Sequence, residues 1–299
     1  MKTNSLFKTI ALIAIISLAS CSKDSTSSTA DSKLTSADAM ANSKMDQASN
    51  DISDVVEEQE GKTYVDASAG KTVDTANSLV TSCAHITRVP DFGTAPTVGQ
   101  TVTKTIDFSF NNPAGCTLAN GSTLKGKIII SFVYDPNATS HTVNYSFDNF
   151  YHNGNHIEGN RSITRSIGTS PLLTAPHPIH AMTIDMTVTF ENGGVYHRVG
   201  TRTRECVANF GNNNVNDNVY KLYQSITTTR PNGASHIYSV VVATPLTIDM
   251  ACQYRVISGI LTITGPLHSA VIDYGAGTCD NNATIAIDGG APTAFTFGN

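Results

Sequence analysis

The six cysteines are the residues whose chemistry depends most on where the chain ends up. Cys21 directly follows Leu18-Ala19-Ser20, and small residues ahead of a cysteine mark a lipobox. Cleavage in front of Cys21 frees its amine and thiol for acylation, and several acyl chains together give durable membrane attachment. The other five stand at Cys83, Cys116, Cys206, Cys252 and Cys279. In an oxidising compartment such residues cross-link, and the competing use is a zinc-thiolate site. No Cys-x-x-Cys spacing occurs, so disulfides are the expectation.

An internal similarity supplies the pairs. Cys83, the stretch Lys104-Thr-Ile-Asp-Phe108, Cys116 and then Asn120-Gly121 find a counterpart in Cys252, Ala270-Val-Ile-Asp-Tyr274, Cys279 and then Asp280-Asn281. Each copy is a cysteine, a strand, a turn, a strand ending in Ile-Asp-aromatic, and a second cysteine. The repeat pairs Cys83 with Cys116 and Cys252 with Cys279, and leaves Cys206 over. Cys206 lies in Arg202-Thr-Arg-Glu-Cys206. Two neighbouring arginines could lower a thiol pKa and make it reactive. A buried, inert thiol is the commoner use and the expectation.

Four histidines form two closely spaced pairs. His152 and His156 flank Asn153-Gly154 with Glu158 and Arg161 close by, and His177 and His180 sit in Ala-Pro-His-Pro-Ile-His. Paired imidazoles can hold a transition metal or trade protons. Side chains on either side of a turn need not converge, so both pairs are read as polar residues on exposed loops. Asp273, Asp280 and Asn282 gather oxygen atoms on a Gly-rich segment, as Ca²⁺ prefers. The spacing fits no calcium loop, and turn residues bonding their own backbone are the expectation. Neither a Gly-x-Ser-x-Gly elbow nor a phosphate-binding Gly loop occurs, so no catalytic residue, metal ligand or cofactor site is assigned. Phe147, Phe150, Tyr151, Tyr196, Tyr220, Tyr223 and Tyr238 could present faces to a sugar or a protein, though packing within a sheet is the usual role.

These residues must be positioned by strands. Runs 127–134, 142–147, 182–190 and 235–242 alternate apolar and polar residues. Asn120-Gly121, Asn153-Gly154, Gly193-Gly194, Asn232-Gly233 and Gly289-Gly290 punctuate them, and Asn-Gly between strands favours a tight hairpin. The expected fold class is all-β: antiparallel hairpins or a meander forming an extended sheet or a sandwich, with one short N-terminal helix. Parallel βαβ order is not expected, because no long amphipathic segments interrupt the strands.

The N-terminus divides into 1–20, an export signal with Lys2 and Lys8 ahead of a short apolar run, and 21–33, the acylated cysteine with a polar tether. In 34–61, Leu34, Ala37, Ala41, Met45, Ala48, Ile52 and Val55 recur at helical spacing. Thr35 or Ser36 can cap the helix, and Gly61 is placed to stop it. Its apolar face is thin, so it is expected to pack lightly on the β region or to stand as a semi-rigid stalk. Residues 62–299 form the all-β domain, with the two cysteine units at 83–121 and 252–290. Only 14% of residues are charged, the net charge is −5 and no basic patch runs along the chain, which argues against nucleic acid as a partner.

Ile106-Asp-Phe108, Gly115-Cys116, Gly126-Lys-Ile-Ile-Ile130, Phe147-Asp-Asn-Phe-Tyr151 and Ile157-Glu-Gly159, with Thr244-Pro-Leu246, Ser258-Gly259 and Cys279-Asp-Asn281, resemble a recurring pattern in uncharacterised envelope lipoproteins of the Bacteroidetes. The resemblance implies a lipoprotein with a β-rich body and supplies no activity. Ser22 after Cys21 is compatible with the outer membrane, on the cell surface or the periplasmic leaflet. The expected role is binding or scaffolding of a glycan or an envelope protein, without catalysis. An envelope hydrolase with a dispersed polar site and a purely structural component are the alternatives.

Overall fold

The computed structural model describes residues 33–69, 79–80, 83–212 and 214–297; the expected export signal, Cys21 and the expected tether up to Ser32 lie outside them. The chain forms one 34-residue helix, α1 (Ser36–Ala69), and then the strands β1 (His85–Val89), β2 (Thr101–Asp107) and β3 (Cys116–Thr117). Six long strands follow: β4 (Thr123–Val133), β5 (Ser140–His152), β6 (Asn155–Gly168), β7 (His177–Thr189), β8 (Val195–Ala208) and β9 (Val219–Thr229). The last third adds β10 (Ser235–Val240), β11 (Leu246–Asp249), β12 (Val256–Thr264), β13 (Ser269–Ala276), β14 (Asn282–Ile287) and β15 (Thr293–Thr296).

All fifteen strands belong to one antiparallel sheet in which neighbours in sequence are mostly neighbours in space. β3 sits beside β4, and β11 bridges β9 and β12. Local turn chemistry drives this order. Asn153 (φ 47°) and Gly154 (φ 77°) close the β5–β6 hairpin between paired His152 and Asn155, the two positive dihedrals that a type I′ turn needs. Along β4 and β9 every second side chain is buried, so each strand gives one row to the interior. One outward row is small and uncharged: Thr103, Ser131, Asn144, Ser162, Thr183, Thr201, Ser225, Ser239 and Thr262 stand opposite one another across nine strands.

The helix does not rest on this sheet; it is enclosed by it. Met45, Ala48, Ile52, Val55 and Val56 are buried against Val102, Ile106, Ile130, Val143, Ile163 and Met186 from β2 and β4–β7. Leu34 and Ala39 join a second cluster with Leu222, Tyr238, Leu246, Ile263 and Ile285 from the C-terminal strands. The polar side is buried as well: Asp38, Asn42, Asp46, Asn50, Asp51, Asp54, Glu57 and Glu60 are all below one-tenth exposed. Light packing and a free-standing stalk are therefore both corrected. Burying a polar helix face is unfavourable only while its charges lack partners, and here the sheet supplies them. The helix also runs past Gly61 to Ala69. Gly61 has open space around it and no positive φ, and the Glu58–Lys62 ion pair spans it at i, i+4. At the other end Thr35 is the cap: its backbone N–H donates to Asp38 Oδ2 at 2.8 Å, and Asp38 N–H returns a bond to Thr35 Oγ1 at 3.4 Å.

Two disulfides are formed, Cys83–Cys116 (Cα–Cα 5.7 Å) and Cys252–Cys279 (5.6 Å). The two cysteine units lie towards opposite ends of the single sheet. They share a local device. Asp107 Oδ1 accepts from Ser109 N, and Asp273 Oδ1 accepts from Gly275 N, each bending the chain just past a buried Ile and a buried aromatic.

Candidate functional site

The chemistry of the interior comes from one strand and one helix. In β8 the alternate positions Arg198, Arg202 and Arg204 point inward and are at most 1% exposed. A strand advances about 6.7 Å per two residues and a helix about 6 Å per four. Inward residues of β8 therefore keep step with Asp46, Asn50, Asp54 and Glu57 on α1. Arg198 Nη1 donates to Asp46 Oδ1 at 2.9 Å and Arg202 Nη2 to the same oxygen at 2.5 Å. Arg202 also reaches Asn50 Oδ1 (3.1 Å) and Gln224 Oε1 (2.8 Å). Arg204 Nη1 meets Asp54 Oδ1 at 2.5 Å and Nη2 meets Glu57 Oε2 at 2.9 Å, while Arg255 takes Asp54 Oδ2 at 3.0 Å.

Electrostatics follows from this ladder. Burial pushes Asp46 upward, but Arg198 and Arg202 outweigh it and hold the carboxyl below its usual range. At Glu57 burial is again outweighed, by Arg204 and His180, and the carboxyl is brought down to about 2. Asp54 goes the other way, raised by burial, with the neighbouring Glu57 charge adding to it. Burial, aided by Arg198 and Arg161, lowers Arg202 to about 10.

Around the C-terminal half of α1 the enclosure opens into a cleft of about 990 Å³. Its polar lining includes Asp54, Glu57, His180, Arg204, Asn218 and Tyr220, and its apolar lining Leu79, Ile167, Pro178, Cys206, Phe210 and Val215. His180 Nδ1 lies 2.8 Å from Glu57 Oε2, and the Arg204 guanidinium sits 4.5 Å above the Tyr220 ring. Arg165, at the rim, pairs with Glu60, and Lys62 pairs with Glu58. Within the cleft the buried polar atoms that carry no hydrogen bond include Glu57 Oε1, Asn218 Oδ1, Arg204 Nε, Arg165 Nε and His180 Nδ1.

Several sequence expectations change here. His152, His177 and His180 are not loop residues. His152 is buried with Nε2 2.8 Å from Asp51 Oδ2, His177 lies 2.9 Å from Glu205 Oε2, and both His177 and His180 belong to β7. The polar exterior expected for them fails because each has a buried carboxylate to meet. His156 stays half-exposed, 3.7 Å from Glu158. Phe150, Tyr220 and Tyr238 are core residues, at most 5% exposed, so they offer no aromatic platform to solvent. Asp280 Oδ1 accepts from Asn282 N, so, with Asp273 already engaged, both aspartates are bonded to their own turns. Cys206 is free and buried, and despite Arg204 nearby, burial raises its thiol to about 11. Among the described residues no three His, Cys, Asp or Glu side chains assemble as a metal site, and no helix is long and apolar enough to cross a membrane.

Sequence reasoning passed over Arg198, Arg202 and Arg204 as site residues. The signal was present: arginines at strand period in 195–208, and the acids Asp46, Asp51, Asp54 and Glu57 three to five residues apart. The chain matches no known protein-family model, no curated protein and no solved structure.

Proposed function

We propose that this protein is a lipid-anchored, extracytoplasmic binding protein that takes its ligand in the cleft beside the C-terminal half of α1. The observation that carries the reading is the cleft itself: a concavity of about 990 Å³ whose walls are mostly apolar, with a few fixed polar groups aligned by buried ion pairs. That is the composition of small-molecule sites, where apolar surface gives affinity and a few oriented groups give selectivity. The lipobox at Cys21 and the two disulfides support a location outside the cytoplasm, at the outer membrane.

The hydrolase alternative draws on the convergence of His180, Asp54 and Glu57. Against it, both Asp54 oxygens are taken by guanidiniums, and Glu57 is held ionised and so has no proton to donate. The test is thermal denaturation of the whole chain with fractions of envelope extract. A stabilising fraction should lose its effect on Ile167→Trp, which narrows the mouth at a residue 66% exposed. Equal stabilisation of both proteins would place the ligand elsewhere, and turnover of the stabilising compound would favour the enzyme.

A further inference from the structure

The cleft is balanced in charge but unsatisfied in hydrogen bonding, and the two facts together select a ligand. In its lining Asp54, Glu57 and Glu58 stand against Lys62, Arg165 and Arg204, and every one of these groups has an oppositely charged neighbour, Arg165 finding Glu60. An ion entering such a site would leave water without gaining a counter-charge, which is unfavourable. What is open is hydrogen-bonding capacity. Glu57 Oε2 pairs with Arg204 and lies 2.8 Å from His180 Nδ1 while Oε1 has no donor; Asn218 gives its Nδ2 to the Tyr220 hydroxyl at 3.1 Å while Oδ1 has none. Both side chains are more than nine-tenths buried and line the cleft. Arg204 Nε adds one unused donor. Buried acceptors without donors are costly, and neighbouring hydroxyl groups satisfy them without bringing charge. Phe210, Leu79 and Pro178 supply apolar surface to the same cleft.

From these observations we infer that the cleft binds an uncharged, hydroxyl-rich ligand with an apolar face, a neutral saccharide, whose adjacent hydroxyls donate to Glu57 Oε1 and Asn218 Oδ1. The inference rests on the cleft being a binding site. A carboxylate acceptor makes the stronger of the two bonds, because hydrogen bonds to ionised groups are shorter and more favourable than neutral ones.

The chain contains no tryptophan, so Phe210→Trp places a single fluorescent reporter on the cleft wall. Titrations of that full-length protein would use neutral oligosaccharides built on glucose, galactose, mannose and N-acetylglucosamine, oligosaccharides of uronic acids, and alkylamines. The expected result is a saturable emission change with a neutral sugar alone. Asn218→Ala should weaken it about tenfold and Glu57→Gln tenfold to a hundredfold. Asn218→Ala keeps the test open if Glu57→Gln does not fold. Tighter binding of uronates or amines than of any neutral sugar overturns the inference and leaves the binding cleft standing. No change with any of the three classes, while envelope extract still stabilises the chain and Ile167→Trp equally, overturns both.

Discussion

Arg204 is the cation on which two buried acids of the cleft depend, and replacing it tests the interior electrostatics directly. In Arg204→Met the volume is roughly kept, Asp54 retains Arg255, and Glu57 retains His180 and the more distant Arg165. Removing one partner of a buried ion pair leaves an uncompensated charge at a cost of about 3–5 kcal/mol. A second route gives a similar size. Glu57 is brought from 4.5 to about 2, and about 2.5 pKa units at 1.36 kcal/mol each come to roughly 3 kcal/mol. The sign with pH separates this from ordinary packing loss. In the unaltered protein Glu57 is depressed, so its contribution is complete above pH 4.5 and is lost as pH falls towards 2. Without Arg204, burial dominates and the Glu57 pKa moves above 4.5. The folded variant then loses stability as pH rises through the new pKa and regains it on acidification towards 4.5. Urea unfolding followed by far-UV circular dichroism at pH 5 and pH 7 would measure both effects. The variant should be less stable by at least about 3 kcal/mol at neutral pH, with a smaller deficit at the lower pH. Adding Glu57→Gln should recover part of the loss, since the orphaned charge goes with it. A deficit under about 1 kcal/mol, or the same deficit at both pH values, would refute the reasoning.

Serine at both positions of either disulfide should lower stability by about 3.5 kcal/mol on the chain-entropy estimate for separations of 33 and 27 residues, read as a shift of the urea midpoint. Cys206, buried and with its thiol raised to about 11, should resist a thiol-specific reagent at pH 8 in the native protein and react promptly in denaturant; rapid native labelling would contradict its placement. Ile52→Ala removes fully buried volume between α1 and the sheet and should cost about 3 kcal/mol, whereas a helix lying loosely on the surface would lose under 1 kcal/mol.

Local chemistry determined much of this protein without help from tertiary structure. Alternation located β4, β5, β7 and β10, and Asn153-Gly154 closed its hairpin because both residues accept positive φ. The stripe Met45, Ala48, Ile52 and Val55 marked the inward side of the helix against β2 and β4–β7. Ala37 departs from that stripe: it is exposed, and Ala39 is buried in its place.

The placement of the helix, and with it the cleft, was decided only by tertiary structure. A charged residue taken alone is best left in water, so Asp46, Asp54 and Glu57 read as a solvated face, and so do the arginines of β8. Arg204 and Asp54 are 150 residues apart. Each becomes tolerable in the interior only because the other is there, and a pairwise condition of that kind has no signature in either segment by itself. The same holds for His152 and His180, whose carboxylates reside on α1. Burial of charge depends on complementarity between elements, and complementarity exists only once the sheet has closed around the helix.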